Sequence, residues 1–180
     1  MKIVLIIGLL CLTLVGCDQE RSYTYQSDGK GCCIKLETVN DSTWEVQHFI
    51  GDSLTDVWTL RDSVYQFDYG DVTGDGRPEI LVGVIRATRY RPEPDKRLFI
   101  FKLYKGRKIR PLWLGSRVGL PLIDFKVERD SVPAMVHTWE RDTDGTTVEV
   151  MYRQQGFGLK YVKTLPKENV KIEKLKSADK

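Results

Sequence analysis

The segment Asp71-Val72-Thr73-Gly74-Asp75-Gly76-Arg77-Pro78-Glu79 spaces oxygen-bearing side chains two residues apart and turns on glycine. It ends in a carboxylate just before the apolar run Ile80-Leu81-Val82-Gly83-Val84. A hard cation such as calcium takes about six to eight oxygen ligands, and a tight loop of this design supplies most of them. The chemistry on offer is therefore ion binding at the corner between two chain segments. An EF-hand is excluded, because its loop needs a bidentate acid at the twelfth position, which is Val82 here, and helices on both sides.

Other reactive residue types are sparse. No Gly-x-Ser-x-Gly, His-Glu-x-x-His or phosphate loop occurs. Glu140, Asp142 and Asp144 are acids of the type glycoside hydrolysis uses, at separations of about 5 to 9 Å. They surround an apparent turn, where solvent exposure is expected. His48 and His137 each fall within apolar strand patterns, which suits structural histidines. Trp44, Trp58, Trp113 and Trp139 suit either inter-sheet cores or a carbohydrate groove. Between Arg86 and Arg117 the chain is dense in Lys and Arg, opposed only by Glu93 and Asp95. Arg86, Arg89, Arg91, Arg107, Lys108 and Arg110, with the aromatic Tyr90 and Trp113, form a candidate ligand face for anionic partners. The alternative is that these charges cover and protect strand edges.

These residues must be carried by short strands. Thr43–Ile50, Asp56–Leu60, Ser63–Phe67, Glu79–Ile85, Arg97–Tyr104, Leu122–Val127, Ala134–Trp139, Thr147–Tyr152 and Leu159–Val162 read as strands separated by turn residues. Glu79–Ile85 is almost unbroken apolar chain, as expected of a strand covered on both faces. Asp142–Gly145 reads as a hairpin turn. No amphipathic helix of convincing length is present. The expectation is an all-β fold, either a small β-propeller-like domain or an antiparallel multi-sheet domain, over residues 32–165. A spacing of about forty residues per blade allows three or four blades at most. Polar residues 17–31 read as a flexible tether, and the charged tail 166–180 reads as a frayed end.

The first sixteen residues read as a targeting segment. Lys2 is followed by an apolar run through Val15 that is too short to span a bilayer. Leu14-Val15-Gly16-Cys17 resembles a bacterial lipoprotein signal, which implies cleavage after Gly16 and lipidation of Cys17. That resemblance places the domain in the bacterial cell envelope, anchored to a membrane and facing the periplasm or the cell surface, where nucleic acid is not an expected partner. Several acyl chains give durable anchoring where a single chain does not. Export also implies an oxidising setting. Adjacent Cys32 and Cys33 yield no disulfide framework; they are reduced and buried, joined in a strained ring, or bonded to another chain.

Phe67 to Gly83 resembles the loop half of an FG-GAP (VCBS-type) repeat, the unit of integrin-like β-propellers. Arg97-Leu98-Phe99-Ile100-Phe101, Pro111-Leu112-Trp113-Leu114-Gly115-Ser116-Arg117 and Gly156-Phe157-Gly158-Leu159 are similar to segments of small bacterial proteins carrying that repeat. The resemblance implies a structural calcium ion held by the side chains of Asp71, Thr73, Asp75 and Glu79 and the backbone carbonyl of Arg77. Thr73 stands where the family more often has Asp or Asn. Function is then expected to be non-enzymatic: a lipid-anchored module that binds or assembles a protein or glycan at the membrane surface. The alternative is a glycan-acting hydrolase or its accessory subunit.

Overall fold

The structure, a computed structural model, describes residues 21–89, 91–115 and 118–166. The segment read as a targeting signal, Cys17, Tyr90, Arg117 and the tail from 167 onward lie outside the described residues. Within them, twelve strands form three four-stranded sheets, each an antiparallel meander of consecutive strands. The first sheet contains β1 (Ser22–Ser27), β2 (Lys30–Asn40), β3 (Thr43–Ile50) and β4 (Ser53–Leu60). The middle sheet contains β5 (Ser63–Gly70), β6 (Glu79–Thr88), β7 (Arg91–Tyr104) and β8 (Lys108–Leu114). The third contains β9 (Leu122–Glu128), β10 (Met135–Arg141), β11 (Thr147–Gln155) and β12 (Gly158–Thr164).

The sheets stack as layers around two cores. Ile34, Leu36 and Val46 of the first sheet pack against Ile80, Val82, Val84, Phe99 and Phe101 of the middle one. Leu81, Leu98 and Ile100 point the other way and meet Phe125, Val127, Val136 and Val150 of the third. Alternate residues of β6 and β7 thus enter opposite cores, which is why both strands read as near-continuous apolar runs. The stack is open and not a closed propeller ring. Its outer faces carry charge, for example Lys35 and Glu45 on the first sheet and Lys126 and Glu128 on the third.

Two sequence expectations need correction here. Ser22–Ser27 is not tether but strand β1, paired with β2 from Ser22↔Lys35 to Ser27↔Lys30. Its alternation is disguised because the inward residues are tyrosines: Tyr23 and Tyr25 pack against the first core. Pro111 lies within β8, a strand that proline obscured. It is tolerated because β8 is the last strand of its sheet, where one side needs no ladder donor.

The layers are fastened by two carboxylates of the same design. Asp56 on edge strand β4 accepts from the Ile109 N–H of edge strand β8 (2.7 Å) and faces Arg110. Asp68 on edge strand β5 accepts from the Val127 N–H of edge strand β9 (2.6 Å) and pairs with Arg129. Each acid satisfies an edge N–H that no neighbouring strand reaches. Asp68→Ala is expected to cost about 2 kcal/mol, since a part-buried N–H loses its acceptor. Arg129→Ala, which removes only an exposed partner, should cost under about 1 kcal/mol. Urea unfolding of the two variants checks the ranking; equal losses would contradict it.

Candidate functional site

The loop between β5 and β6 is closed by its own acids. Asp71 Oδ1 accepts from the Gly74 N–H (2.6 Å) and the Asp75 N–H (3.0 Å), and Oδ2 accepts from the Gly76 N–H (2.8 Å). Asp75 Oδ1 accepts from the Arg77 N–H (2.9 Å). Gly76 sits at φ 80°, a conformation that side-chain-bearing residues rarely adopt, so the tight ring of N–H groups around Asp71 requires glycine. The loop is also held from outside: the Ala134 N–H donates to the Asp71 carbonyl (2.7 Å).

Glu79 is the buried member, only 1% exposed. Its two oxygens accept from the Thr73 N–H (3.0 Å) and the Thr73 hydroxyl (3.1 Å). Burial pushes its carboxyl up to about 7; the Thr73 hydrogen bonds oppose this, and Asp75 and Asp71 add to it. Thr73 therefore does what Asp at that position could not, donating to Glu79 instead of repelling it. The oxygen types suit a hard cation. The geometry shown is that of a self-closed turn, and among the described residues no group of three His, Cys, Asp or Glu side chains is gathered to hold a metal.

The basic residues do not form one face. Arg86 lies near the end of β6, Arg89 in the turn after it and Arg91 at the start of β7, whereas Arg107, Lys108 and Arg110 lie at the β7–β8 end, one strand length away. A fourteen-residue strand such as β7 spans roughly 45 Å when extended. Trp113 is also corrected: it turns inward on β8 and is buried in the second core. At the β6–β7 end, Arg86, Arg89 and Arg97 surround a hollow of about 420 Å³ floored by Phe99 and Leu114. Arg97 is fixed there by donating to the Gly115 carbonyl (2.9 Å) and the Arg86 carbonyl (3.3 Å). Arg86 faces Asp62 at 3.7 Å. A second cleft of about 170 Å³ opens alongside, shared through Arg97 and lined by Arg91, Lys96 and Asp95.

Three buried polar clusters lie elsewhere: His48 and His137 occupy structural positions, as their apolar strand patterns suggest, whereas the burial of Glu140 departs from the expected exposure. His48 is fully buried; Nδ1 lies 3.1 Å from the Arg107 carbonyl and 2.8 Å from the Thr55 hydroxyl, and Nε2 lies 3.0 Å from the Tyr25 hydroxyl. Burial lowers the imidazole pKa, so the ring is neutral. With the proton on Nδ1, it donates to Arg107 and Nε2 accepts from Tyr25. Glu140, expected to be exposed, is 1% exposed and accepts from the Leu120 N–H (2.6 Å) and the Thr138 hydroxyl (2.6 Å). It ties the 118–121 connection to β10 and lies apart from Asp142 and Asp144, which shape the β10–β11 hairpin turn as expected. His137 is buried on the outer face of the third sheet, stacked on Trp139 at 4.3 Å and facing Glu128 and Glu149. No sequence signal marks Glu140 as buried, because its partner Leu120 lies twenty positions away in the chain.

The architecture defines an all-β protein of three stacked antiparallel sheets with an aspartate loop and a basic end. No family model and no curated protein matches the chain.

Proposed function

We propose that this chain is a lipid-anchored envelope protein that acts as a non-enzymatic binding or assembly module, engaging an anionic glycan or protein at the membrane surface. The observation that carries this reading is the convergence of Arg86, Arg89 and Arg97 on one hollow beside the cleft of Arg91 and Lys96. Clustered cations with a partly apolar floor attract and orient an anion more strongly than the same charges dispersed. Glu140, the acid best placed for a hydrolase reading, is committed to Leu120 and Thr138. The anchor is Cys17, read from the signal-like segment before it. The FG-GAP-like loop, in turn, would hold structural calcium through Asp71, Thr73, Asp75, Glu79 and the Arg77 carbonyl, the ion replacing N–H and hydroxyl groups that Asp71 and Glu79 now meet. When bound, the ion supplies the positive charge that lets Glu79 ionise beside Asp71 and Asp75.

Retention of the detergent-solubilised protein on immobilised heparin tests the binding reading. Arg86→Ala with Arg89→Ala is expected to weaken retention at least tenfold, while Lys160→Ala with Lys163→Ala, on edge strand β12, leaves it unchanged. Binding should also fall as salt is raised, since exposed charges are screened over about 8 Å at physiological ionic strength. Equal retention of the two double variants, or turnover of an envelope glycan, would defeat the reading.

A further inference from the structure

We propose that the cavity between the β1–β2 and β7–β8 hairpins binds a small tetrahedral oxyanion of the phosphate or sulfate class, free or as the end of a headgroup. The site lies at the other end of the middle sheet from the arginine hollow and does not rest on the reading given for that hollow.

The cavity measures about 400 Å³. Lys30, Ser53 and Thr55 wall it from the first sheet, and Lys105 and Arg107 wall it from the middle sheet. Three cations thus face one acid, Asp28, and Ser53 adds a hydroxyl; the Thr55 hydroxyl is committed to the His48 carbonyl (2.8 Å). This is the donor set an oxyanion selects: Arg and Lys supply charge-assisted hydrogen bonds, and the Ser hydroxyl adds a neutral one. An anion and several waters fit the volume, since each water takes about 30 Å³.

The walls are built to stay in place. Both hairpins turn through a non-glycine residue in the left-handed region, Asp28 at φ 50° and Lys105 at φ 51°, which makes each tip short. The β7–β8 tip is then tied across the sheet boundary by buried His48, whose Nδ1–H donates to the Arg107 carbonyl. Arg77 adds further positive charge nearby, its guanidinium lying 3.8 Å from where a Cβ on Gly106 would stand. The Arg107 side chain is not needed for that tie, because His48 holds its backbone.

Cys32 lines the same cavity, 4% exposed, and serves as an internal reporter for a small thiol reagent. In the full chain carrying Cys33→Ser, labelling of Cys32 by methyl methanethiosulfonate, read by mass spectrometry, is expected to slow at least fivefold in 20 mM inorganic phosphate relative to chloride of equal ionic strength. Lys105→Gln with Arg107→Gln should abolish the protection. Melting temperature should rise in phosphate for the parent and not for that variant, which also shows whether the variant is folded. Substituting glycerol 3-phosphate separates the two sources: stronger protection by the ester assigns a headgroup, and stronger protection by phosphate assigns a free ion. Identical labelling in phosphate and chloride, or equal protection of parent and variant, would overturn the site.

Discussion

Gly83→Val is expected to lower the stability of the domain by about 3 kcal/mol, a typical cost of forcing atoms into a filled core. Gly83 lies in β6 at the centre of the doubly covered middle sheet. A Cβ there would come within 2.6 Å of Tyr65 Cζ and 2.9 Å of Phe125 Cε1, distances at which something must move. Neither ring has room to retreat. Phe125 is fully buried, and Tyr65 is held edge-on against it while Lys96 Nζ sits over its face at 4.4 Å. Lys96 is itself tethered to the Ile123 carbonyl (2.7 Å). The two added methyl groups favour strand geometry, which offsets only part of the clash. Gly31→Ala is the control, since its nearest neighbour would be Gln26 at 3.8 Å; a change under about 0.5 kcal/mol is expected there. Urea unfolding measures both, and a loss under about 1 kcal/mol for Gly83→Val would contradict the tight middle-to-third packing.

In calcium-free buffer, the domain should lose roughly 3 kcal/mol of stability through Glu79 alone as pH rises from 4.5 to above 7. The sign follows from where the proton sits. Glu79 has its ordinary value of 4.5 when the chain is unfolded and about 7 when folded. Between these values the folded protein holds a proton that the unfolded chain has released, so raising the pH favours unfolding. Below 4.5 both states are protonated, and above about 7 both are ionised, so the contribution is flat outside the window. Glu79→Gln removes the dependence, because its amide carries no charge to desolvate. The quantity to measure is the stability difference between wild type and Glu79→Gln in chelator at pH 4.5 and pH 8. An unchanged difference would show that the carboxyl is not penalised by burial.

Calcium is a second arm of the same experiment. Millimolar calcium at pH 8 should recover the lost stability, in keeping with extracellular sites whose dissociation constants run at roughly 10⁻⁴ to 10⁻³ M. Asp75→Ala should abolish the recovery. If calcium leaves the wild-type melting temperature where it was, the loop is closed by Thr73 and its own N–H groups, and the ion is not part of it.

Much of the strand pattern was legible in the chain. Thr43–Ile50 was delimited without error, and the unbroken apolar run at Glu79–Ile85 correctly implied cover on both faces. Those features depend on side-chain periodicity, which is local. β1, β2 and β8 are absent from the strand reading: tyrosines replace aliphatic residues in β1, β2 begins inside the segment read as tether, and Pro111 interrupts β8. The Asp71–Glu79 loop was visible as a motif, yet its hydrogen bonding depends on backbone N–H groups whose directions no spacing reveals.

The order of residues determined by itself the all-β class, the turn at Asp142–Gly145 and the set of oxygen donors in the loop, because each depends on neighbours a few positions apart. Tertiary structure alone decided that the basic residues divide between two ends, that Trp113 is core, and that Asp56 and Asp68 clasp successive sheets. It also decided that Glu79 and Glu140 are buried and which groups His48 meets. Charge and polarity are properties of a residue, but burial and partnership arise only when strands tens of positions apart are stacked, and that stacking sets the cost or value of each polar group.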